Sequence, residues 1–157
     1  MISMLPRRMS RWFNAHCAHV FEPAPRRRLG GSDDFGRISA TDITPEVGKP
    51  IPGGFAPRES TGVLDPLQAR ACVIEGAGKT VAVVGVDAVS LRFDTIEKAR
   101  RMIGAKGGPP ERNVIVAASH THSGGPSNDV LGTGSDEAYC EGLAAKIAEA
   151  VLAAQRA

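Results

Sequence analysis

The stretch that decides the fold is NVIVAASHTHSGG, residues 113–125. Its first part, Asn113 to Ala118, is a nearly continuous apolar run, which predicts a β-strand buried on both faces. Two histidines, His120 and His122, follow at the end of that strand and ahead of a glycine turn. Neutral imidazole is the commonest protein ligand for zinc, so the segment predicts the beginning of a metal site.

The spacing of the two histidines limits what they can do. On an extended strand, residues i and i+2 point to the same side with Cα atoms about 6.5–7 Å apart. Both rings reach one metal only if the backbone bends there; otherwise one ring ligates and the other faces the substrate. A catalytic zinc usually takes three protein ligands and a water molecule, so this segment supplies only part of such a site.

Periodicity along the rest of the chain predicts an α/β fold, a layered mixed β-sheet with flanking helices. Asp94 and Glu97 have the spacing of a capping box, and Gly104 is suited to ending the helix that they begin. The remaining predicted elements are a first strand over residues 35–43, a hairpin of residues 69–75 and 80–87 around a turn at 76–79, and a final helix that opens at residues 135–137 and carries Leu143, Ile147 and Val151 on its apolar side.

The charge of the chain is unevenly distributed. Residues 1–31 hold six arginines and one acid, a net charge of +5, whereas residues 32–157 hold 13 basic and 16 acidic groups, a net charge of −3. We therefore predict a basic, disordered N-terminal arm over residues 1–35, and no nucleic-acid-binding face on the folded part. The arm lacks the unbroken apolar core of a secretory signal, and no membrane span is visible in the sequence, which leaves the localisation open.

Several short motifs occur in a characteristic order. They are Thr41-Asp42-Ile43-Thr44-Pro45, Gly53-Gly54-Phe55, the segment GVLDPLQARA (62–71), the strand VAVVGVD (81–87), PPERNVIV (109–116) and the His-Thr-His-Ser-Gly run itself. In this order they resemble the N-terminal part of the neutral/alkaline non-lysosomal ceramidase family. The resemblance covers residues 36–157.

The resemblance implies a zinc-dependent amide hydrolase that cleaves the N-acyl bond of a sphingoid lipid such as ceramide. It implies that His120 is a zinc ligand and that His122 is a catalytic pocket residue that contacts the polar head of the lipid substrate. It also implies that Gly54 lines the substrate-binding site. Members of the family are often exported, and the complete enzyme is expected to make peripheral contact with a membrane.

The sequence departs from the family pattern in three respects. Phe55 stands where a Tyr is usual, and an additional Gly125 precedes Pro126. The second zinc-binding histidine, the glutamate and tyrosine ligands and the nucleophilic serine of the family lie further downstream than this sequence extends. We therefore expect residues 36–157 to form the N-terminal portion, an incomplete part, of a larger catalytic domain, and the chain to self-associate through exposed apolar surface.

Two other functions remain open. One is a non-catalytic truncated fragment, which the missing downstream ligands favour. The other is a metallo-β-lactamase-type hydrolase, which also carries His-x-His after a strand but requires an Asp and a His where this chain has Gly124 and Gly125.

Four further side chains have structural interpretations, and Asp87 has a functional one as well. Asp87 either orients a histidine or caps the turn after its strand. Asp65 and Arg70 are candidates for a structural ion pair, and Asp42 is suited to bonding the local backbone in a turn.

Overall fold

A computed structural model describes residues 27–28 and 35–157 of the chain. The fold is a mixed β-sheet with two α-helices packed against one face. The strands are β1 (Arg27–Arg28), β2 (Phe35–Asp42), β3 (Gln68–Gly76), β4 (Lys79–Val86) and β5 (Val114–Ala118), and the helices are α1 (Phe93–Ala105) and α2 (Glu137–Arg156), with a short 3-10 turn at Glu111–Asn113.

Strand order follows chain order, β1-β2-β3-β4-β5. The first four strands are antiparallel, whereas β5 runs parallel to β4 after the crossover through α1. A parallel pair brings the carboxyl ends of its two strands to the same edge of the sheet. The segment that follows β5 therefore begins beside the segment that follows β4.

The core lies between the sheet and the two helices. The residues of α2 that were predicted to form its apolar side, Leu143, Ile147 and Val151, are all buried against the inner face of the sheet. Asp136 caps the N-terminus of α2 by accepting a 2.9 Å hydrogen bond from the Tyr139 amide, as the predicted helix start requires. The mixed sheet with flanking helices is thus confirmed.

The turn between β3 and β4 is shorter than the predicted four residues. Only Ala77 and Gly78 lie between the strands, and both have positive φ angles, 47° and 71°. A two-residue hairpin turn requires such angles at both positions so that the turn follows the twist of the strands. Gly78 adopts its angle without strain, and Ala77 is held in an unusual conformation by the strands on either side.

The predicted termini of α1 are wrong at both ends. The helix begins at Phe93 after Arg92, with no side-chain cap, because Asp94 is occupied by an ion pair with Arg92 at 2.5 Å. At the other end the helix continues past Gly104, and the left-handed residue is Gly107, with φ +79°. The amides of Gly107 and Gly108 bond back to the carbonyls of Gly104 and Ile103, which is a Schellman motif displaced from the predicted stop.

The prediction that the strand after residue 113 is buried on both faces is also wrong. Val114 is buried, but Ile115, the next residue, is 54% exposed. The apolar side chains of the outer face of the sheet, Ile74, Val81, Val83 and Ile115, are all exposed to solvent. Since helices cover only the inner face within residues 35–157, the apolar run marks a strand with two apolar faces of which one is covered.

Most of the predicted basic arm, residues 1–26 and 29–34, lies outside the described residues, and so does the cluster His16-Cys17-Ala18-His19. The boundary at residue 35 stays a prediction. Neither α1 nor α2 is long and apolar enough to cross a membrane.

Candidate functional site

The histidine segment lies at the edge of the sheet where β4 and β5 both end. The Ser119 amide donates a 2.9 Å hydrogen bond to the carbonyl of Val86, the last residue of β4, which extends the parallel pairing by one step. His120 then adopts a positive φ of 63°. The backbone therefore bends at the first histidine, which is the condition under which the sequence allowed both rings to approach one point.

The bend brings the two imidazole rings together. The ring centroids of His120 and His122 are 5.0 Å apart, with an angle of 77° between the ring planes. Both residues are exposed. The two rings are thus close neighbours on the surface and are accessible to a ligand.

His120 is oriented by the backbone that follows β4. Its Nδ1 lies 2.7 Å from the carbonyl oxygen of Val89. Because a carbonyl oxygen only accepts hydrogen bonds, Nδ1 carries the proton and donates it, which leaves the lone pair on Nε2. A histidine that donates one ring nitrogen to a carbonyl and presents the other outward has the arrangement of a metal ligand with its outer-shell partner.

His122 is held by a different part of the chain, the loop of residues 48–60. Gly53, which has φ +99°, packs directly under the ring, since a Cβ at this position would lie 3.0 Å from both Cγ and Nδ1 of His122. From the same loop, Nη2 of Arg58 donates a hydrogen bond to the main-chain carbonyl of His122. His122 is therefore supported at its ring and at its carbonyl by one loop.

Gly54, the predicted substrate-lining glycine, follows in the same loop and is half-buried. A Cβ at Gly54 would lie 3.2 Å from the carbonyl oxygen of Ala56 and 3.5 Å from Nε of Arg58. The position next to His122 belongs to Gly53, and the tight contact at Gly54 is with the Ala56 carbonyl oxygen. The sequence drew attention to the Gly-Gly pair, but nothing in it indicated Arg58 or Val89.

A cavity of about 680 Å³ opens beside the histidine segment. Thr121, Ser123 and Gly124 form one side of it, and the loops over residues 44–51 and 58–67 form the others. Its wall contains both apolar side chains, such as Leu64 and Leu67, and charged groups. This combination suits a ligand with an apolar chain and a polar end.

Asp87 lines the same cavity, and its role differs from both sequence interpretations. Its carboxylate pairs with Nη1 of Arg70 at 3.0 Å and accepts a 2.9 Å hydrogen bond from the Gln68 amide. Asp87 thus joins the ends of β3 and β4 and contacts neither histidine in these bonds. Arg70 pairs with Asp87 instead of the predicted Asp65.

The loop that forms the cavity is tied to the covered side of the sheet. Asp42 accepts a 2.7 Å bond from the Thr44 amide, which confirms the predicted turn. The Tyr139 hydroxyl donates to the Ile43 carbonyl at 2.8 Å, and burial raises the pKa of this phenol above its ordinary value. Lys49 and Asp136 form an ion pair at 2.5 Å, whose hydrogen bond raises the pKa of the amine and lowers that of the carboxyl group.

The two glycines after the histidines are packed too tightly for larger residues. A Cβ at Gly124 would lie 3.1 Å from the Cα of Ala88, and one at Gly125 would lie 2.5 Å from the Tyr139 ring. An aspartate and a histidine, which a metallo-β-lactamase-type site requires at these positions, do not fit this backbone. The tight packing argues against that alternative.

The side chains in this region fit part of a zinc site. His120 presents a free Nε2 and His122 lies beside it, but no group of three or more His, Cys, Asp or Glu able to hold a metal occurs in the described part of the chain. The two described cysteines add no ligand to this pair. Cys72 belongs to the outer face of the sheet, and Cys140 is buried, which raises the pKa of its thiol. The residues present therefore match one or two ligands of a catalytic zinc.

Comparison with known proteins gave matches among solved structures alone. No family model and no curated protein matches the chain. The crystal structure of neutral ceramidase from Pseudomonas aeruginosa matches with a TM-score of 0.71 and 26% identity, over 80% of this chain and 22% of that one. A structure described as ceramidase complexed with C2 matches with a TM-score of 0.69 and 26% identity, over 80% and 21%.

The chain therefore has the fold of a part of neutral ceramidase. It spans about a fifth of the length of the solved ceramidase chains that it matches.

Proposed function

We propose that this chain is the N-terminal portion of a zinc-dependent amide hydrolase of the neutral ceramidase type. Residues 36–157 contribute one zinc ligand, His120, and part of the pocket for an N-acyl sphingoid lipid. His122 contacts the polar head of the substrate, and Gly54 belongs to the loop that borders the pocket. The structural match to ceramidase and the cavity beside the histidines both support this proposal.

The observation that carries the proposal is the orientation of His120. Its Nδ1 is engaged by the Val89 carbonyl at 2.7 Å, so the Nε2 lone pair points away from the protein backbone that holds the ring. A metal-ligating histidine almost always donates its other ring nitrogen in this way, which fixes its tautomer and orientation. Zinc, when bound, supplies Lewis-acid polarisation of the scissile carbonyl.

The chain's own residues have two tasks in this proposal. His120 holds its ring in one orientation at the end of β5, and His122, two residues on, is supported by Gly53 next to Thr121 and Ser123, which line the cavity. The cavity loops remove the lipid from water, which strengthens the polar contacts made inside. The remaining ligands and the nucleophile must come from outside the described residues.

A non-catalytic fragment is the second candidate, and a specific observation favours it. The described residues contain no cluster of three metal-binding side chains. We accordingly expect the purified 157-residue chain to show no measurable ceramide hydrolysis. Turnover that a chelator and His120→Ala both abolish would overturn this expectation.

Zinc content of a full-length homologue that carries this segment tests the proposed division between the two histidines, because a single ligand does not hold a catalytic zinc. We expect His120→Ala to weaken zinc binding by more than the roughly 10–100-fold that loss of an outer-shell partner costs. His122→Ala should keep most of the affinity. Metal analysis of the two purified variants measures the bound zinc, and their hydrolytic activity, which both variants should lose, is measured in parallel.

The outcomes separate the candidates. Loss of zinc in the His122 variant alone would reverse the assignment of the two rings. Equal zinc content in the wild-type homologue and in its His120 variant would remove this zinc ligand from the proposal and leave the non-catalytic fragment as the function of the chain.

A further inference from the structure

We propose that Arg58 is the positioning residue of His122, acting through the main-chain carbonyl of that histidine. The relevance of this role to catalysis rests on the proposed function, but the contact itself does not. Arg58 lies in the loop of residues 48–60, more than sixty positions before His122 in the chain, and its guanidinium is the group by which that loop holds the histidine turn.

The two sides of this loop are joined by backbone hydrogen bonds. The Gly48 amide bonds the Ser60 carbonyl at 2.9 Å, and the Ile51 amide bonds the Arg58 carbonyl at 2.9 Å. Pro50 and Glu59 are paired as an isolated antiparallel bridge between these two bonds. The backbone of Arg58 is therefore fixed on one side of a short hairpin, although its side chain lies at the surface.

The two glycines at the end of this hairpin, Gly53 and Gly54, make different contacts. Gly53 brings its backbone against the His122 ring, where a Cβ would lie 3.0 Å from Cγ and Nδ1. Gly54 lies next to the Arg58 side chain, whose Nε would be in ordinary contact with a Cβ at that position, 3.5 Å away. The ring of His122 thus rests on the hairpin backbone while the guanidinium holds the adjacent peptide group.

His120 has no share in this support. Its ring is held by the Val89 carbonyl, in the segment between β4 and α1. The two histidines are therefore fixed by two separate parts of the fold, and a change at Arg58 should affect one and spare the other. A residue that merely stabilised the whole turn would affect both.

The position of Arg58 also connects His122 to the cavity. Arg58, Pro50 and Glu59 line the 680 Å³ cavity on one side and a second cavity of about 400 Å³ on the other. The Arg58 side chain thus belongs to a wall that a ligand in the larger cavity contacts. Arg58 therefore contributes both to the wall of that cavity and to the support of the His122 carbonyl.

Nuclear magnetic resonance of the purified chain tests the proposal without any need for activity. In Arg58→Ala we expect the His122 ring signals to shift or broaden, whereas those of His120, whose ring centroid lies 5.0 Å from that of His122, should change much less. The backbone order parameter of the Ser123 amide, whose peptide group contains the His122 carbonyl, should fall from about 0.85 to below about 0.6.

Three variants make the result decisive. Arg58→Lys, which keeps a donor but loses the planar guanidinium, should restore part of the His122 signal. Arg101→Ala, at an exposed arginine on α1, is the matched control and should change neither histidine. If Arg58→Ala does not fold, Arg58→Gln is measured in its place.

Two results would overturn the proposal. One is His122 signals and a Ser123 order parameter that remain unchanged when Arg58 is replaced. The other is an equal change at His120, which would show that Arg58 stabilises the turn as a whole. Neither result depends on whether the chain binds zinc, so failure here is distinguishable from failure of the proposed function.

Discussion

The inner and outer faces of the sheet have similar apolar side chains and opposite surroundings. Across the paired strands, the inner row Ser39, Ala71, Val84 and Val116 lies beside the outer row Ile38, Cys72, Val83 and Ile115. Val84 is fully buried, whereas Val83 is 42% exposed. The outer row is the more apolar of the two, so hydropathy of a strand does not decide which of its faces is covered.

The covered face and the helix that covers it both carry small side chains. The side of α2 that faces the sheet is rich in alanine, including Ala144, Ala148 and Ala154, all essentially fully buried. Small side chains let a helix approach a sheet closely, and the inner-row residues are themselves small. The outer row carries larger branched side chains, which suit a different partner surface.

The largest effect is expected from a charge placed on each face in turn. Val84→Asp should destabilise the chain by about 3–5 kcal/mol, because an unpaired charge would be buried under the helices. Val83→Asp, one residue away, should change the free energy of unfolding by less than about 1 kcal/mol. Urea unfolding of both variants measures the difference, and equal costs would mean that the outer face is covered in solution.

A second test asks whether the outer face associates. Contiguous exposed apolar surface favours association, so the wild-type chain should show a molar mass that rises with concentration in light scattering. Val83→Lys combined with Ile115→Lys should weaken this association at least tenfold, about 1.4 kcal/mol. Phe93→Lys is the control, since Phe93 is 75% exposed but lies on α1. A wild-type chain that stays monomeric would show that the outer face needs no cover.

The smallest effect concerns the ion pair that ties the cavity loop to the covered face. The hydrogen bond from Lys49, followed by that from the Tyr139 amide, lowers the pKa of Asp136. Its folded value lies below the unfolded value of about 3.9, so its stabilising contribution is complete above that pH and is lost as the pH falls through the folded pKa. The raised pKa of Lys49 has the opposite sense, and its contribution is lost only as the pH rises through that folded value.

Asp136→Asn should therefore flatten the loss of stability below about pH 4, while Asn continues to cap α2 at neutral pH. Lys49→Met should also reduce this loss of stability at low pH, because it removes the ion-pair partner of Asp136. Thermal unfolding, measured from about pH 2 to about pH 7, gives the dependence of stability on pH for both variants, since this range includes the reference pKa of aspartate. An unchanged acid slope in both variants would mean that the pair is absent in solution.

The sequence was sufficient for those features that depend on local pattern. The order of strands and helices, the cap at Asp136 and the turn at Asp42 follow from residue types at fixed offsets, and the structure has them. The ceramidase-like fold was also readable, from the order of several weak motifs.

The features that the sequence missed depend on competition between distant groups. Asp94 was expected to cap α1, but its carboxylate instead forms an ion pair with Arg92. Arg70 was expected to pair with Asp65, but strand pairing places Asp87 nearer. The support of His122 by Gly53 and Arg58 joins segments more than sixty residues apart, and no local spacing indicates such a contact.

The parallel pairing of β4 and β5 has a consequence for the order in which the chain folds. The hairpin of β3 and β4 closes over two residues, whereas Val83 and Ile115 are 32 positions apart and meet only after the crossover through α1 is in place. Closing a longer loop costs more chain entropy, so the parallel pair is the later event. The contact between His120 and Val89 spans the same crossover. The native resonance of the His120 imidazole should consequently be among the last to return after dilution from denaturant, well after those of the hairpin amides.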